Sequence, residues 1–244
     1  MKKYFICILC LCSLIQLKAQ INENDSLRQE LVNAKEDTAR VKLMVKLAFN
    51  FLDSKPDSAL FIGEQALALS QKSGFDNGEI NALGIIANAY ARAGNYSLAL
   101  EQAFAEYKKS EEVHNQRQMA GSLMDIANVY SFQGDNERSL DYLLKVKDLQ
   151  KNLDIESSLA TTLINIGYTY YNLDRLDSAR ISINQALEIA LRIKDNTKIG
   201  ACYLNLGMIH SKMGLYDLAK NYYQLSLPYF PATNHYFVGS IFWG

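Results

Sequence analysis

The chain has 244 residues, of which 49% are hydrophobic and 21% charged, with only 13 glycines and 3 prolines. This composition is too apolar for a disordered chain and too poor in glycine and proline for the frequent turns of a β-sandwich or barrel. The formal net charge is −1, and interspersed acidic and basic residues argue against a nucleic acid partner. These features favour an all-α fold.

Residues 1–19 have the pattern of a secretory signal peptide. Lys2 and Lys3 precede an almost wholly apolar run, and Ala19 supplies the small residue at which signal peptidase cuts. We therefore expect the mature chain to begin near Gln20. We also expect it to be exported through the inner membrane and to be periplasmic or associated with the cell envelope.

Three of the four cysteines lie in this first segment, which leaves Cys202 in the mature chain. No small residue precedes any of the three, as lipoprotein processing would require, although a lipid anchor stays an alternative. A single remaining cysteine cannot form an intramolecular disulfide, so we expect stability to come from packing.

Two less regular segments follow the predicted signal peptide. Residues 20–39 contain an amphipathic stretch, Asp25 to Ala34, that we interpret as an N-terminal capping helix. Leu43 to Leu52 and Asp57 to Gln71 then form a helix pair joined by a turn at Lys55-Pro56. We interpret this pair as the first of five repeats.

The other four repeats share a pattern with a spacing of forty residues. A small residue on a first helix is followed three positions later by an aromatic residue or histidine, in the pairs Ala87 and Tyr90, Ala127 and Tyr130, Gly167 and Tyr170, and Gly207 and His210. A turn former follows, at which we expect a left-handed backbone: Gly94, Gly134, Asp174 and Gly214. A second helix then carries another small residue: Ala99, Ser139, Ala179 and Ala219.

This pattern resembles the tetratricopeptide repeat (TPR) family, in its extended variants with longer repeats. The resemblance implies an all-α, right-handed superhelical solenoid of antiparallel helix pairs over residues 40–228. The repeats would occupy 40–78, 79–118, 119–158, 159–198 and 199–228, followed by an apolar tail over 229–244. Glu106 and Val146 depart from the family pattern, which has a small residue at their positions, and we expect these departures to loosen the register of the second helix.

The resemblance also implies a protein-binding scaffold whose concave groove takes a peptide or a partner protein. The groove positions carried over from the family are rich in asparagine and aromatic residues: Asn81, Asn88, Arg92, Asn128, Phe132, Thr161, Tyr168, Tyr171, Asn172, Met208 and Lys212. Such groups can bond a peptide backbone and cover its side chains. Arg92 and Lys212 are too few for the basic cluster with which some family members clamp a C-terminal carboxylate.

No catalytic, cofactor or metal site is predicted. The three histidines, His114, His210 and His235, have no pair at the spacing of metal ligands, and no glycine-rich phosphate loop occurs. We interpret His210 and Cys202 as core residues, and acids such as Glu111 and Glu112 as solvated charges. The chain is therefore predicted to be no enzyme, with no cofactor, no metal and no transmembrane helix in its mature part.

Several alternatives stay open at this point. The chain resembles the periplasmic TPR regions of Bacteroidetes-type bacterial regulators, so it could be a sensory input region whose membrane and output domains are absent from this chain. A structural spacer, and a hydrolase or glycan-binding protein on the same frame, are further alternatives. The tail after Pro228 and Pro231 could fold back over the last helix, bind a partner or mark a shortened chain.

Overall fold

A computed structural model describes residues 23–151, 153 and 155–230 of the chain. The predicted signal peptide and most of the predicted tail lie outside these residues, so both stay predictions. Every regular element in the described residues is a helix, which confirms the all-α fold. Helix α1 covers residues 23–33, and the others are α2 Asp37–Phe51, α3 Pro56–Ser73, α4 Asp76–Arg92, α5 Tyr96–Glu112, α6 Gln116–Phe132, α7 Asn136–Lys151, α8 Glu156–Asn172, α9 Leu176–Arg192, α10 Asn196–Lys212 and α11 Tyr216–Ser226.

The described helices form two compact units, which divide between Asp135 and Asn136. In the first unit, α2 packs against α3 and α4 against α5, as consecutive antiparallel pairs. Small residues allow this close packing: a Cβ atom on Gly63 of α3 would lie 3.1 Å from side-chain carbons of Ile85 and Ile86 on α4. The predicted capping segment is helix α1, whose buried Leu27 joins a core with Leu47 and Phe51 of α2.

In the second unit, α8 pairs with α9 and α10 with α11. The small column predicted on the first helices lies against the second helices: a Cβ atom on Gly167 would be 2.5 Å from Ile183, and one on Gly207 would be 2.5 Å from the Tyr223 ring. A 3-10 helix, Leu227–Tyr229, follows α11 and contacts α10. The start of the predicted tail therefore packs beside Gly200, since a Cβ atom there would lie 2.6 Å from Tyr229.

The predicted turn formers adopt the left-handed backbone that ends a helix. Gly94, Gly134 and Gly214 have φ angles of 78°, 83° and 77°, and Asp174 has 60°. The same conformation occurs between repeats, at His114 and Lys194, with φ angles of 53° and 57°. The turns within these repeats are thus confirmed. Of the turns between repeats, the first has Gly74 with a φ angle of 64°, whereas His114 and Lys194 are L-residues at positions where glycine would be less strained.

Gly94 and His114 offer a matched test of this backbone requirement within the first unit. We expect Gly94→Ala to lower the free energy of unfolding by about 1 kcal/mol and His114→Gly to raise it by up to about 1 kcal/mol. A Cβ atom at Gly94 would meet no atom within 4 Å, so the backbone alone accounts for the loss. Urea unfolding of both variants measures the two changes in the free energy of unfolding. A lower stability of His114→Gly would contradict the backbone explanation.

Candidate functional site

In the first unit, candidate residues of α4 and α6 lie close together. Asn88 and Arg92 of α4 and Asn128 of α6 are half-buried, while Asn81 and Phe132 are exposed. Asn81 and Asn88 lie on the same face of α4, because seven residues complete two helical turns. We call the surface of α4 and α6 that carries Asn81, Asn88, Arg92, Asn128 and Phe132 the first-helix face.

Arg92 is fixed by three neighbours on this face. Its Nε atom donates to Asp53 Oδ1 at 2.7 Å, and its Nη1 atom donates to the side-chain oxygen of Asn88 at 3.2 Å. Its guanidinium carbon lies 5.6 Å from the centre of the Phe132 ring, within range of a cation–π contact. Three of the predicted candidates thus share one network, which Asp53, from the turn after α2, completes.

A pair of carboxyl groups lies beneath the same face. Glu106 of α5 is only 5% exposed, and it is hydrogen-bonded to Asp125 of α6 and to the Ser122 hydroxyl. The Asn88 amide donates to Asp125 Oδ1 at 2.9 Å and also to the Gly84 carbonyl at 2.9 Å. The carboxyl pair therefore links α4, α5 and α6, while Glu106 Oε2 is a buried atom without a hydrogen-bond partner among the described residues.

Burial dominates the electrostatics of the pair. It raises the pKa of Glu106 well above the usual range, and the negative charge of Asp125 raises it further. Burial also raises the pKa of Asp125 to about 6, although hydrogen bonds from Asn88, Glu106 and Asn128 and the charge of Arg92 oppose the rise. Near neutral pH, Glu106 is thus the protonated partner and donates its hydrogen bond to the Asp125 carboxylate.

Sequence reasoning missed this pair, although one signal was present. Glu106 occupies a column in which the family has a small residue, and its departure predicted only a looser register for the second helix. The register is instead kept, because Gly84 leaves room for the longer side chain: a Cβ atom there would lie 3.1 Å from Glu106 and 3.2 Å from Asp125 Oδ2. An acid in a small, buried column has to find a polar partner, and Asp125 provides it.

The second unit carries a smaller network around Lys212 of α10. Its ammonium group lies 3.0 Å from Asp174 Oδ1 and 4.6 Å from the centre of the Tyr171 ring, and it donates to the Tyr171 carbonyl at 3.1 Å. Asn172, which is exposed, donates to Asn136 at 3.5 Å. Lys212 and Arg92 thus share an arrangement, in which an acid and an aromatic ring hold the cation in place.

The remaining candidates of the second unit differ in their availability. Tyr168 is 44% exposed and so can contact a ligand. Thr161 is exposed, but its hydroxyl group donates to the Ser157 carbonyl of the same helix at 3.2 Å. Met208 is half-buried and packs against Ala219 and Tyr223. Tyr168 is therefore the most accessible large side chain among these three.

The residues interpreted as core are buried. His210 is 5% exposed, its Nδ1 atom lies 2.7 Å from the Leu206 carbonyl, and its ring stacks on Tyr222 at 5.0 Å. Cys202 is fully buried, which raises its pKa to about 12.

Among the described residues, no group of three acids, histidines or cysteines lies close enough together to hold a metal ion. None of the described helices is long and apolar enough to cross a bilayer.

Known proteins support the repeat pattern. A family described as "Tetratricopeptide repeat" matches residues 118–192 and 158–232. A stretch of 67 residues is 33% identical to the mitochondrial tetratricopeptide repeat protein 19 homolog of Drosophila melanogaster and covers 28% of this chain. The match spans only 18% of that relative's length.

Two solved structures are similar in fold. BtubC from P. vanneervenii has a TM-score of 0.72 at 19% identity, with 86% of this chain and 91% of BtubC covered. NprR in complex with its cognate peptide NprX has a TM-score of 0.66 at 15% identity, with 93% of this chain and 65% of NprR covered. At these identities the likeness shows the fold alone.

Proposed function

We propose that this chain, whose residues 118–232 match the tetratricopeptide-repeat family, binds an extended segment of a partner protein along the first-helix face. The fold generally serves as a non-catalytic scaffold for protein interactions, and a protein-interaction role follows from it. The proposal adds the extended conformation of the ligand and the surface to which it binds. NprR, which has a similar fold, is a peptide-binding protein by its own description, and this supports the choice.

The observation that carries the proposal is the fixed geometry of polar groups on this face. Asn88 and Arg92 are each held by two or more contacts, so their positions are set before a ligand arrives. Preorganised side chains reduce the entropy lost on binding. Exposed Asn81 and Phe132 beside them offer an amide and a ring to a peptide backbone and its side chains.

Selection of a displayed library of random dodecapeptides on the full chain tests the proposal. A face variant carries Asn81→Arg and Phe132→Arg, and a control variant carries Ser97→Arg and Ala105→Arg at exposed positions of the second helix α5. We expect a shared peptide motif on the unmodified chain, a loss of at least tenfold in affinity for the face variant, and little change for the control. Equal loss in both variants, or selection of no motif, would contradict the proposal.

The cellular setting belongs to the same proposal. Export rests on Lys2, Lys3 and the apolar run that follows them, together with Ala19. In an envelope compartment, a chain with this face would act by holding a partner rather than by transforming a substrate. The alternative role as a sensory input region stays a prediction.

A further inference from the structure

We propose that the bound segment places two apolar side chains, about six positions apart, on the rings of Phe49 and Phe132, with uncharged polar residues between them. The inference rests on the proposed function, since it names the chemistry of the segment and adds Phe49 of α2 to the residues that contact it. Its basis is the exposure of the two rings, the contacts that connect them across α4, and the balance of charge between them.

Phe49 lies at a position of α2 that corresponds to two residues of the first-helix face. In α4 and α6, the residue directly after the small residue of the repeat is Asn88 and Asn128, respectively. In α2 the small residue is Ala48, which is buried, and Phe49 follows it. The Phe49 side chain is 65% exposed, so a ligand can reach most of its ring without displacing another side chain.

A row of contacts connects α2, α4 and α6 beside this ring. Arg92 of α4 donates to Asp53 Oδ1 at 2.7 Å, and its guanidinium carbon lies 5.6 Å from the centre of the Phe132 ring on α6. Asp53 comes four residues after Phe49, which is about one helical turn. Phe132 is 49% exposed, so its ring keeps a free surface although Arg92 lies beside it. The two exposed rings therefore lie on either side of the Arg92–Asp53 pair.

The distance between the first helices sets the spacing of the apolar residues in the ligand. Helix α4 contacts both α2 and α6. Packed helices lie about 10 Å apart, so two such steps separate the rings by roughly 20 Å. An extended segment rises about 3.3 Å per residue, so about six residues cover this distance. Its side chains alternate between two sides, so an even spacing places both apolar residues against the surface, whereas a spacing of five or seven turns one away.

The surface between the two rings favours uncharged polar residues in the ligand. Arg92 and Asp53 form an ion pair, so each balances the charge of the other. A charged ligand residue would lose hydration there without gaining an unpaired charge of opposite sign. The Asp53 side chain is 90% exposed, and its carboxylate can accept a further hydrogen bond from an amide or hydroxyl group of the segment.

A purely structural role for Phe132 makes a different prediction. If the ring only holds Arg92 through a cation–π contact, leucine cannot replace it, because leucine has no aromatic face. If the ring receives an apolar side chain of the ligand, leucine retains most of the contact, since burial of apolar area does not depend on aromaticity. Leucine and serine variants at this position thus separate the two roles.

Selection from one mixed library of displayed dodecapeptides on the full chain tests the spacing. Each member carries two leucines that are four, five, six or seven positions apart, and its other positions are random among serine, threonine, asparagine and glutamine. We expect members with a spacing of six to be enriched at least tenfold over members with a spacing of five or seven. Burial of the second leucine contributes about this factor to the affinity.

Variants of the two rings identify the contacts. We expect Phe49→Ser and Phe132→Ser each to reduce the enrichment of the six-residue spacing to below threefold, and Phe49→Leu and Phe132→Leu to keep at least half of it. Phe61→Ser, at a ring of the second helix α3 that is 60% exposed, is the matched control and should keep the full enrichment.

Three results of this selection would overturn the inference. They are equal enrichment of all spacings, a preference for six that survives both serine variants, and a preference that is lost in the control as well. A shared motif from the random library together with no enrichment from the mixed library would also overturn it and leave the proposed function standing. Failure of both libraries would contradict both proposals.

Discussion

Gly167→Ala is expected to lower the free energy of unfolding of the second unit by about 2 kcal/mol, which is the range of costs for overpacking a core. The added methyl group would lie 2.5 Å from Cδ1 and 2.6 Å from Cγ1 of Ile183, and 3.3 Å from the Ala179 carbonyl oxygen. Ile183 is fully buried and packed among core residues, so it has little room to move away. Helices α8 and α9 would have to separate.

Gly121→Ala is the matched control for this substitution. Gly121 also lies within a first helix, α6, but a Cβ atom there would meet nothing within 4 Å. Because alanine is the better helix former, we expect this variant to gain about 0.5–1 kcal/mol. Urea denaturation followed by far-ultraviolet circular dichroism measures both changes, and an unaltered or raised stability of Gly167→Ala would show that the small column is not required for close packing.

The stability of the first unit is expected to fall as the pH rises from 5 to 8. Both carboxyl groups of the Glu106–Asp125 pair have a raised pKa in the folded chain, so over this range the folded state holds protons that the unfolded state has lost. The linked free energy is therefore present at low pH and is lost as the pH rises through the folded pKa values. For Asp125, a rise of the pKa from 3.8 to about 6 corresponds to roughly 2–3 kcal/mol in total, of which about half is lost between pH 5 and pH 8.

Glu106→Gln removes one of the two titrating groups and the charge repulsion between them. We expect the loss of stability between pH 5 and pH 8 to shrink to less than half in this variant. Glu101→Gln, at an exposed carboxyl group of the same helix, should leave the pH dependence as it is in the unmodified chain. Urea unfolding at pH 5, 6, 7 and 8 provides the comparison, and parallel curves for the unmodified chain and Glu106→Gln would refute the assignment.

The helix pairs could be predicted from the sequence because their determinants are local. A small residue, an aromatic three positions later and a turn former four positions after that lie within one helix and its end, so they repeat visibly along the chain. Gly94, Gly134, Asp174 and Gly214 adopt the expected left-handed backbone for this reason. For the same reason, the sequence predicts that His210, three positions after Gly207, packs in the core where the three preceding repeats have tyrosine.

The carboxyl pair could not be predicted in this way, because it depends on three helices at once. Glu106 and Asp125 are 19 positions apart, and neither has a sequence neighbour that indicates its partner. Their contact depends on the gap at Gly84, and the absence of a side chain is not a motif. The groove positions carried over from the family included Asn88 and Arg92, but not the acids that hold them.

The ion pairs of Arg92 and Lys212 could not be predicted from the sequence either, because their partners lie far away along the chain. In the sequence, two basic residues were too few for a basic clamp, but a count of cations does not show whether they are paired. In the structure, Asp53 lies 2.7 Å from Arg92 and Asp174 lies 3.0 Å from Lys212, so both positive charges are paired. The positive charge of each residue is therefore balanced by a neighbouring carboxylate.

The most direct test of the central claim is a map of amide chemical shifts in the isotopically labelled full chain as a selected peptide is added. We expect the largest changes on the first helices, at residues such as Asn81, Gly84 and Asn128, and small changes on α5 and α9. Changes confined to the outer surfaces of α5 and α9, with none on α4 or α6, would contradict it.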